Sequence, residues 1–291
     1  MTERTRRFQH HGVEGAVLRA AEDGSLSLNS LLAEGYRRPV DVQLQYPYTA
    51  CYVLHGARHV LIDAGIDAAQ TAENLGALRV RLEDVAWVLI THADWDHVLG
   101  LLHSDDRLAY PNARHVLGRE AWRSLERPED PTRLTAERRA FCATLVDRLR
   151  TRVILCEGET EVAPGITFVP APGHRAGNAA YELASRATPL LHLGDSLFQP
   201  FQVEEPDVRL EGNADEDAAI ETRRRLVQRA LEKEALVLAS HFPWPGIGEI
   251  RQRGGRPVWR PLPTSDACAA GTALSPLDGP ASLNHRAPHR R

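Results

Sequence analysis

Short apolar runs bounded by turn residues alternate with amphipathic stretches from about residue 50 to residue 262. The turn at Gly56 suits a hairpin between two of these runs. Elsewhere, apolar side chains recur at helical spacing, as at Ile220, Val227 and Leu231. The apolar runs predict strands at residues 51–54, 59–63, 85–91, 115–117, 153–156, 166–170, 179–183, 190–193 and 236–239. Hairpins mixed with helical crossovers predict an α/β (α+β) fold in which sheet layers are covered by helices.

The two ends of the chain lack this pattern. Residues 1–45 show little periodicity, and we expect an irregular N-terminal segment with one short helix at about residues 26–32. Residues 263–291 are rich in Ala, Gly, Pro and Ser, a composition that predicts a disordered C-terminal tail. The sequence therefore predicts one domain at residues 1–262, followed by a tail.

Charge and composition argue against several kinds of partner. The 291 residues carry 35 basic and 39 acidic side chains, for a net charge of −4, which argues against a nucleic-acid-binding protein. The apolar runs are too short to span a bilayer, and the polar N-terminus lacks the apolar region of a secretory signal. Four scattered cysteines without a Cys-x-x-Cys pair indicate reduced thiols. We expect a cytoplasmic protein with a small-molecule substrate and no membrane or nucleic-acid partner. The pattern leaves homo-oligomerisation open.

Four ionisable side chains crowd the segment that follows the apolar run at residues 85–90. They are His92, Asp94, Asp96 and His97. A buried strand that ends in so many ionisable groups needs something to compensate their desolvation, and a cation would do so. Alternate residues of an extended segment point the same way, so the first three can share one face. The alternative is a polar loop in which Asp94 or Asp96 caps the following helix.

Three later fragments each place one further candidate ligand just past an apolar run. His174 follows the run at 166–170, Asp195 follows the run at 190–193, and His241 follows the run at 236–239. Alone, each is typical of a turn or of a structural histidine. Because open sheets carry their chemistry at strand ends, the four segments together predict one metal centre.

With these residues in place, the sequence resembles the metallo-β-lactamase superfamily of metal-dependent hydrolases over roughly residues 45–262. The first motif of that family has the form His-x-His-x-Asp-His, which residues 92–97 match except at one position. The resemblance implies a four-layer αββα sandwich of two mixed β-sheets with helices outside, and a centre of two divalent metal ions. It assigns His92 and His174 to the first metal, Asp96, His97 and His241 to the second, and Asp195 as a bridge between both.

Asp94 stands where the family usually has its second histidine. A carboxylate can still coordinate, so we expect Asp94 to be a metal ligand. The alternative is that Asp94 does not bind and that only one metal is held firmly. Zinc is the expected metal, while the harder oxygen ligand leaves manganese or iron open. Asp63, in the preceding turn, is expected to orient a ligand.

The resemblance implies hydrolysis by a hydroxide that bridges the two metals, with Asp96 and Asp195 as catalytic side chains. Residues 222–226 and 241–250 are similar to the branch that contains methyl parathion hydrolase, which points to an ester, lactone or phosphotriester with an apolar body. Quorum-signal lactonases of the family carry a tyrosine three positions after the bridging aspartate, where this chain has Phe198, and this argues against lactonase activity. Candidate pocket walls, each with core packing as the alternative, are Trp95, Phe198, Phe201, Phe242 and Trp244.

A redox function on the same fold is the alternative to hydrolysis. The flavo-diiron proteins of the family also carry a carboxylate at the position of Asp94, and its persulfide dioxygenases use a single iron. Against both stands the full set of ligands for a second metal. A nucleic-acid-processing role has less support, because the sequence lacks a basic exosite.

Overall fold

The computed structural model describes residues 3–127 and 134–263. The predicted tail at residues 263–291 lies outside the described residues, except for Pro263. The strands are β1 (Thr5–His10), β2 (Val13–Arg19), β3 (Gly24–Ser27), β4 (Gln43–Tyr46), β5 (Thr49–His55), β6 (Arg58–Ile62), β7 (Val85–Leu89), β8 (Arg114–Gly118), β9 (Val153–Cys156), β10 (Thr160–Ala163), β11 (Ile166–Pro170), β12 (Ala179–Leu183), β13 (Leu190–His192), β14 (Leu236–Leu238), β15 (Ile247–Arg253) and β16 (Arg256–Pro261). The α-helices are α1 (Leu28–Leu31), α2 (Ala68–Gly76), α3 (Trp95–Val98), α4 (Arg119–Glu126), α5 (Ala136–Leu149), α6 (Phe201–Glu204) and α7 (Glu216–Glu232).

Two large mixed sheets form the centre of the described structure. The first has the strand order β1-β2-β5-β6-β7-β8-β9, with β6 to β9 parallel to one another. The second has the order β10-β11-β12-β13-β14-β15-β16, in which β13 and β14 are the parallel pair. All nine predicted strands are confirmed, and they correspond to β5–β9 and β11–β14.

Apolar side chains fill the space between the sheets and cover their outer faces. Ile62 and Leu89 of the first sheet meet Phe168 and Leu238 of the second in one buried cluster. The outer face of the first sheet packs against α2, α4 and α5, and that of the second packs against α7 through residues such as Leu226. The layers therefore run helix, sheet, sheet, helix, which confirms the predicted αββα sandwich.

The prediction of an irregular N-terminal segment is wrong. β1 and β2 form an antiparallel hairpin, and β2 continues the first sheet by pairing with β5, with Val17 opposite Cys51. β3 and β4 form a separate two-stranded sheet. The pattern concealed β1 because this edge strand has one apolar residue, Phe8, among six. The short helix expected at about residues 26–32 is present as α1.

Within the described residues, no helix combines the length and the apolar character that crossing a bilayer requires.

Candidate metal centre

The predicted ligand residues all lie in segments that directly follow strands. After β7 the chain runs through His92 to Asp94, which occupies the N-cap position of α3. The side chain of Asp94 makes no capping hydrogen bond. The structure therefore does not support the alternative in which the Asp94 side chain caps α3. His174 follows β11, Asp195 lies in a 3-10 turn after β13, and His241 follows β14.

His92, Asp94 and His174 form the first ligand group, and their ligand atoms lie within 4.8 Å of one another. The Oδ2 atom of Asp94 is 3.7 Å from Nε2 of His92 and 3.5 Å from Nε2 of His174. Asp94 thus faces the same point in space as the two imidazoles. This is the geometry expected of a metal ligand.

Asp96, His97 and His241 form the second ligand group. The Oδ2 atom of Asp96 is 3.3 Å from Nε2 of His97 and 3.3 Å from Nε2 of His241. One residue separates Asp96 from Asp94 in the chain, so the start of α3 supplies one carboxylate to each group.

Asp195 lies within reach of both groups. Its Oδ2 atom is 3.6 Å from Nε2 of His174 in the first group and 3.1 Å from Nε2 of His241 in the second. Its Oδ1 atom is 3.4 Å from Nε2 of His97. The structure therefore brings all seven predicted ligand residues together, with Asp195 between the two groups.

Each imidazole is fixed in orientation by a hydrogen bond from its other nitrogen. Nδ1 of His92 donates to Thr91 Oγ1 at 3.0 Å, and Nδ1 of His97 donates to Asp63 Oδ2 at 2.7 Å. Nδ1 of His174 donates to Asn213 Oδ1 at 3.1 Å, and Nδ1 of His241 donates to the Pro47 carbonyl at 2.8 Å. Outer hydrogen bonds of this kind set the tautomer and aim the remaining nitrogen of a metal-binding histidine. In the neutral form of each ring, the free lone pair is then on Nε2, which faces the cluster.

Several of these inward-facing atoms lack partners. Within the described residues, Nε2 of His92, His97 and His174 and Oδ1 of Asp195 are buried without a hydrogen bond. Leaving a buried polar atom unpaired costs about 1–3 kcal/mol, so four such atoms around one point require compensation. Four imidazole nitrogens and three carboxylates are a donor set suited to divalent transition metals such as zinc. The residues therefore fit a metal centre.

Charges within the cluster perturb each other strongly. Burial opposes ionisation of Asp96, but His97 and His241 outweigh this effect and hold its pKa well below the ordinary value. Burial likewise favours the neutral form of His241, yet Asp195 and Asp96 raise its pKa to about 9. The carboxylates are therefore ionised at neutral pH, and a metal ion that binds His241 must displace a proton.

Asp63 supports the second group, as expected from the sequence. It is fully buried and has a positive φ of 58°. Its carboxylate accepts hydrogen bonds from the Thr91 backbone at 2.8 Å, from the Thr91 hydroxyl at 2.9 Å and from His97. Burial opposes its ionisation, but His97 holds the pKa of Asp63 below its ordinary value.

The sequence reasoning missed Arg175. Its Nε atom donates a hydrogen bond to Oδ1 of Asp94 at 3.1 Å and lies 2.9 Å from Oδ2 in an ion pair. Relative to a histidine, Asp94 adds one negative charge, and Arg175 supplies one positive charge next to it. The available signal was the position of this arginine, directly after the predicted ligand His174.

Of the predicted pocket residues, Phe198 lies beside the cluster. Its ring centroid is 5.1 Å from that of His174 and 5.8 Å from that of His241. Phe201 belongs to the same apolar cluster as Phe198. Trp95 packs against Phe141 at 5.4 Å, on α5.

Two other predicted pocket residues lie elsewhere. Phe242 is fully buried and packs edge-on against Trp259, so its prediction as a pocket wall is wrong. Trp244 contacts the N-terminal region, where Arg19 lies 4.2 Å above its ring and its indole nitrogen donates to Glu3. Both residues closely follow His241 in the chain, and this proximity in sequence was the reason to predict that they line the pocket.

Tyr46 is a second residue that the sequence reasoning missed. Its ring stacks on His241, with centroids 4.0 Å apart and an interplanar angle of 13°. Burial and the charges of Asp195, Asp96 and Asp94 raise its pKa far above the ordinary value, so its phenol is neutral. Tyr46 ends β4, just after the segment at residues 1–45, and its contact with His241 joins residues 195 positions apart, which no local pattern indicates.

Comparisons with known proteins agree with this geometry. The model of the metallo-β-lactamase superfamily matches residues 47–241. The "Probable metallo-hydrolase Mb2322c" of Mycobacterium bovis is 25% identical over 210 residues, which are 64% of this chain and 64% of that protein. This chain therefore spans less than two thirds of the length of that relative.

Solved structures share the fold. The hydrolase AbOPH, described as a member of the β-lactamase superfamily, has a TM-score of 0.73 at 22% identity, covering 90% of this chain and 98% of that one. The dizinc quorum-quenching lactonase AidC has a TM-score of 0.71 at 17% identity, covering 88% and 97%. Since the family model matches more than half of its residues, this chain belongs to the metallo-β-lactamase superfamily.

Proposed function

We propose that this protein is a hydrolase with two divalent metal ions, which cleaves an ester, lactone or phosphotriester bond in a small, partly apolar substrate. One observation carries the proposal. Seven metal-ligating side chains form two groups of three around a shared Asp195, with inward-facing atoms that lack partners within the described residues.

His92, Asp94 and His174 would hold one ion, Asp96, His97 and His241 would hold the other, and Asp195 would contact both. Two such ions supply a water molecule ionised at neutral pH and polarise the carbonyl or phosphoryl oxygen of the substrate. Zinc is the proposed metal because imidazole nitrogens outnumber carboxylates among the ligands, and manganese and iron are the alternatives.

The side chains of the protein prepare the reaction in two ways. Thr91 and Asp63 lock the imidazoles of His92 and His97, so no reorientation is needed when substrate arrives. Asp96 turns Oδ2 towards His97 and His241, which leaves Oδ1 to accept a hydrogen bond from the attacking water and so to orient it.

The substrate side is apolar and aromatic. Phe198 and Tyr46 stack in succession beside His241, with their ring centroids 6.3 Å apart, and present flat surfaces to an acyl or aryl group. The lactonase AidC shares the fold, which supports a lactone as one candidate substrate.

The test combines metal analysis with a hydrolysis panel. We expect purified protein to contain two divalent ions per chain and to hydrolyse at least one lactone, aryl ester, thioester or phosphotriester. His174→Ala should lower both the metal content and the rate, whereas His103→Ala, at a histidine outside the cluster, should change neither. Protein that takes up fewer than two ions per chain in excess zinc, manganese or iron would refute the proposal.

Asp94 also favours a second candidate, an iron-dependent redox enzyme. Carboxylate-rich sites suit iron, and Asp94 replaces a nitrogen ligand with oxygen in the first group. Coloured, iron-loaded protein that consumes oxygen without hydrolysing any member of the panel would select this candidate.

A further inference from the structure

Asp94 lies at the N-cap position of α3, where an aspartate side chain normally caps the helix. At the N-cap of a helix, an aspartate side chain usually accepts a hydrogen bond from a backbone N–H of the first turn. The backbone of Asp94 is extended, with φ −74° and ψ 156°, which suits that bond, yet its side chain makes none. The carboxylate is turned instead towards the imidazoles of His92 and His174.

Arg175 holds the carboxylate in this orientation. Its Nε atom donates to Oδ1 of Asp94 and forms an ion pair with Oδ2. Its Nη1 atom donates to the carbonyl oxygen of His174 at 2.9 Å and to that of Gly212 at 2.6 Å. These main-chain hydrogen bonds fix the guanidinium in place. If the Asp94 side chain rotated to cap the N-terminus of α3, it would therefore lose its contact with Arg175.

The second ligand group has no such arrangement. Asp96 is in the first turn of α3 and faces His97 and His241 directly. Among the described residues, no arginine pairs with Asp96. Of the two ligand groups, only the first therefore has an arginine beside its α3 carboxylate. It is also the group whose carboxylate, Asp94, could otherwise cap α3.

We propose that Arg175 is the positioning residue that makes Asp94 a metal ligand: it keeps the carboxylate off the helix N-terminus and aims Oδ2 at the first ligand group. The proposal rests on the two-ion centre proposed above. Arg175 acts through Asp94 and is not itself a catalytic residue.

Removing Arg175 has two opposing effects on an ion in the first group. Loss of a positive charge favours binding, and release of the Asp94 carboxylate opposes it. The first effect is screened because the Arg175 side chain is 38% exposed. Loss of an outer hydrogen bond to a metal ligand typically lowers affinity by about 10- to 100-fold. We therefore expect a net loss of about tenfold.

The experiment is a double-mutant cycle on metal affinity. Metal-free protein is titrated with cobalt(II) against a competing chelator, and the two binding steps are followed by absorbance. The variants are Arg175→Gln, Asp94→His and the double variant, with Arg224→Gln as a control at an arginine paired with Asp207 on the surface. Arg175→Lys keeps the charge without the planar fork of donors.

Arg175→Gln and Arg175→Lys should weaken one binding step about tenfold and leave the other unchanged. In the Asp94→His background, Arg175→Gln should cause no further loss, because no carboxylate remains to be positioned. Unchanged or tighter binding in Arg175→Gln, or an equal loss in both backgrounds, would overturn the positioning role. Loss of both steps in both single Arg175 variants would also overturn it, since that would indicate a purely structural role. Wild-type protein that binds fewer than two cobalt ions would overturn the proposed function as well.

Discussion

His115 provides a direct test of how burial controls the pH dependence of stability. It lies in β8 and is fully buried. Neither of its ring nitrogens has a hydrogen-bond partner within the described residues. Burial, together with the nearby positive charge of Arg152, lowers the pKa of His115 to about 4. Protonation of this ring in the folded protein is therefore costly.

The sign and size of the effect follow from the difference between the two pKa values. Unfolded chain takes up a proton on His115 below its ordinary pKa of 6.5, whereas folded protein does so near 4. Stability is therefore present above pH 6.5 and is lost as the pH falls from 6.5 to 4. The loss should be about 1 kcal/mol at pH 5.5 and about 3 kcal/mol at pH 4.

The assay is urea unfolding of wild-type protein and of His115→Leu at pH 7.5, 6.5, 5.5 and 4.5. All ionisable groups other than His115 are present in both proteins, so their contribution cancels in the difference. Wild type should lose about 2 kcal/mol more than His115→Leu between pH 7.5 and 4.5, and the control His103→Leu should follow wild type. Parallel stability curves for wild type and His115→Leu would show that burial does not hold this histidine neutral.

Two further predictions concern residues that shape the site. Asp63→Asn should lower zinc affinity about 10- to 100-fold, because it weakens the hydrogen bond that orients His97; chelator competition measures this, and unchanged affinity would contradict it. Gly100→Ala should destabilise the fold by about 3 kcal/mol or more, since an added Cβ would lie 2.1 Å from the carbonyl oxygen of Ala64. Gly76→Ala is the matched control, because nothing lies within 4 Å of its added Cβ; urea unfolding should show no loss there, and equal losses in both variants would refute the clash.

The position of the candidate ligand residues in one cluster could be predicted because each of them differs in polarity from the apolar residues that precede it. His92, His174, Asp195 and His241 each follow an apolar run, and the run fixes where the strand ends. Topology then brings the strand ends to one edge of the two sheets. The local polarity pattern, together with the rule that open sheets carry their functional residues at strand ends, was sufficient to predict this cluster.

What the sequence could not show depends on contacts between distant residues. Arg175 meets Asp94 across 81 positions of chain, and nothing in the pattern of either segment requires that contact. Phe198 and Phe242 are the same residue type after similar strands, yet one faces the ligand cluster and the other the core. The edge strand β1 is too polar to stand out from a loop, because it has one apolar residue among six.

The order of strands divides the metal centre between the two parts of the polypeptide. The first sheet is built from strands that end at β9, and the second begins at β10. Residues 92–97 leave the former, while His174, Asp195 and His241 leave the latter. A chain that stops between β9 and β10 would thus lack three of the seven candidate ligands, and two separated fragments cut at that point would each lack part of the set. The complete set of ligands therefore forms only when both parts of the chain are present, and neither fragment alone would retain partial activity.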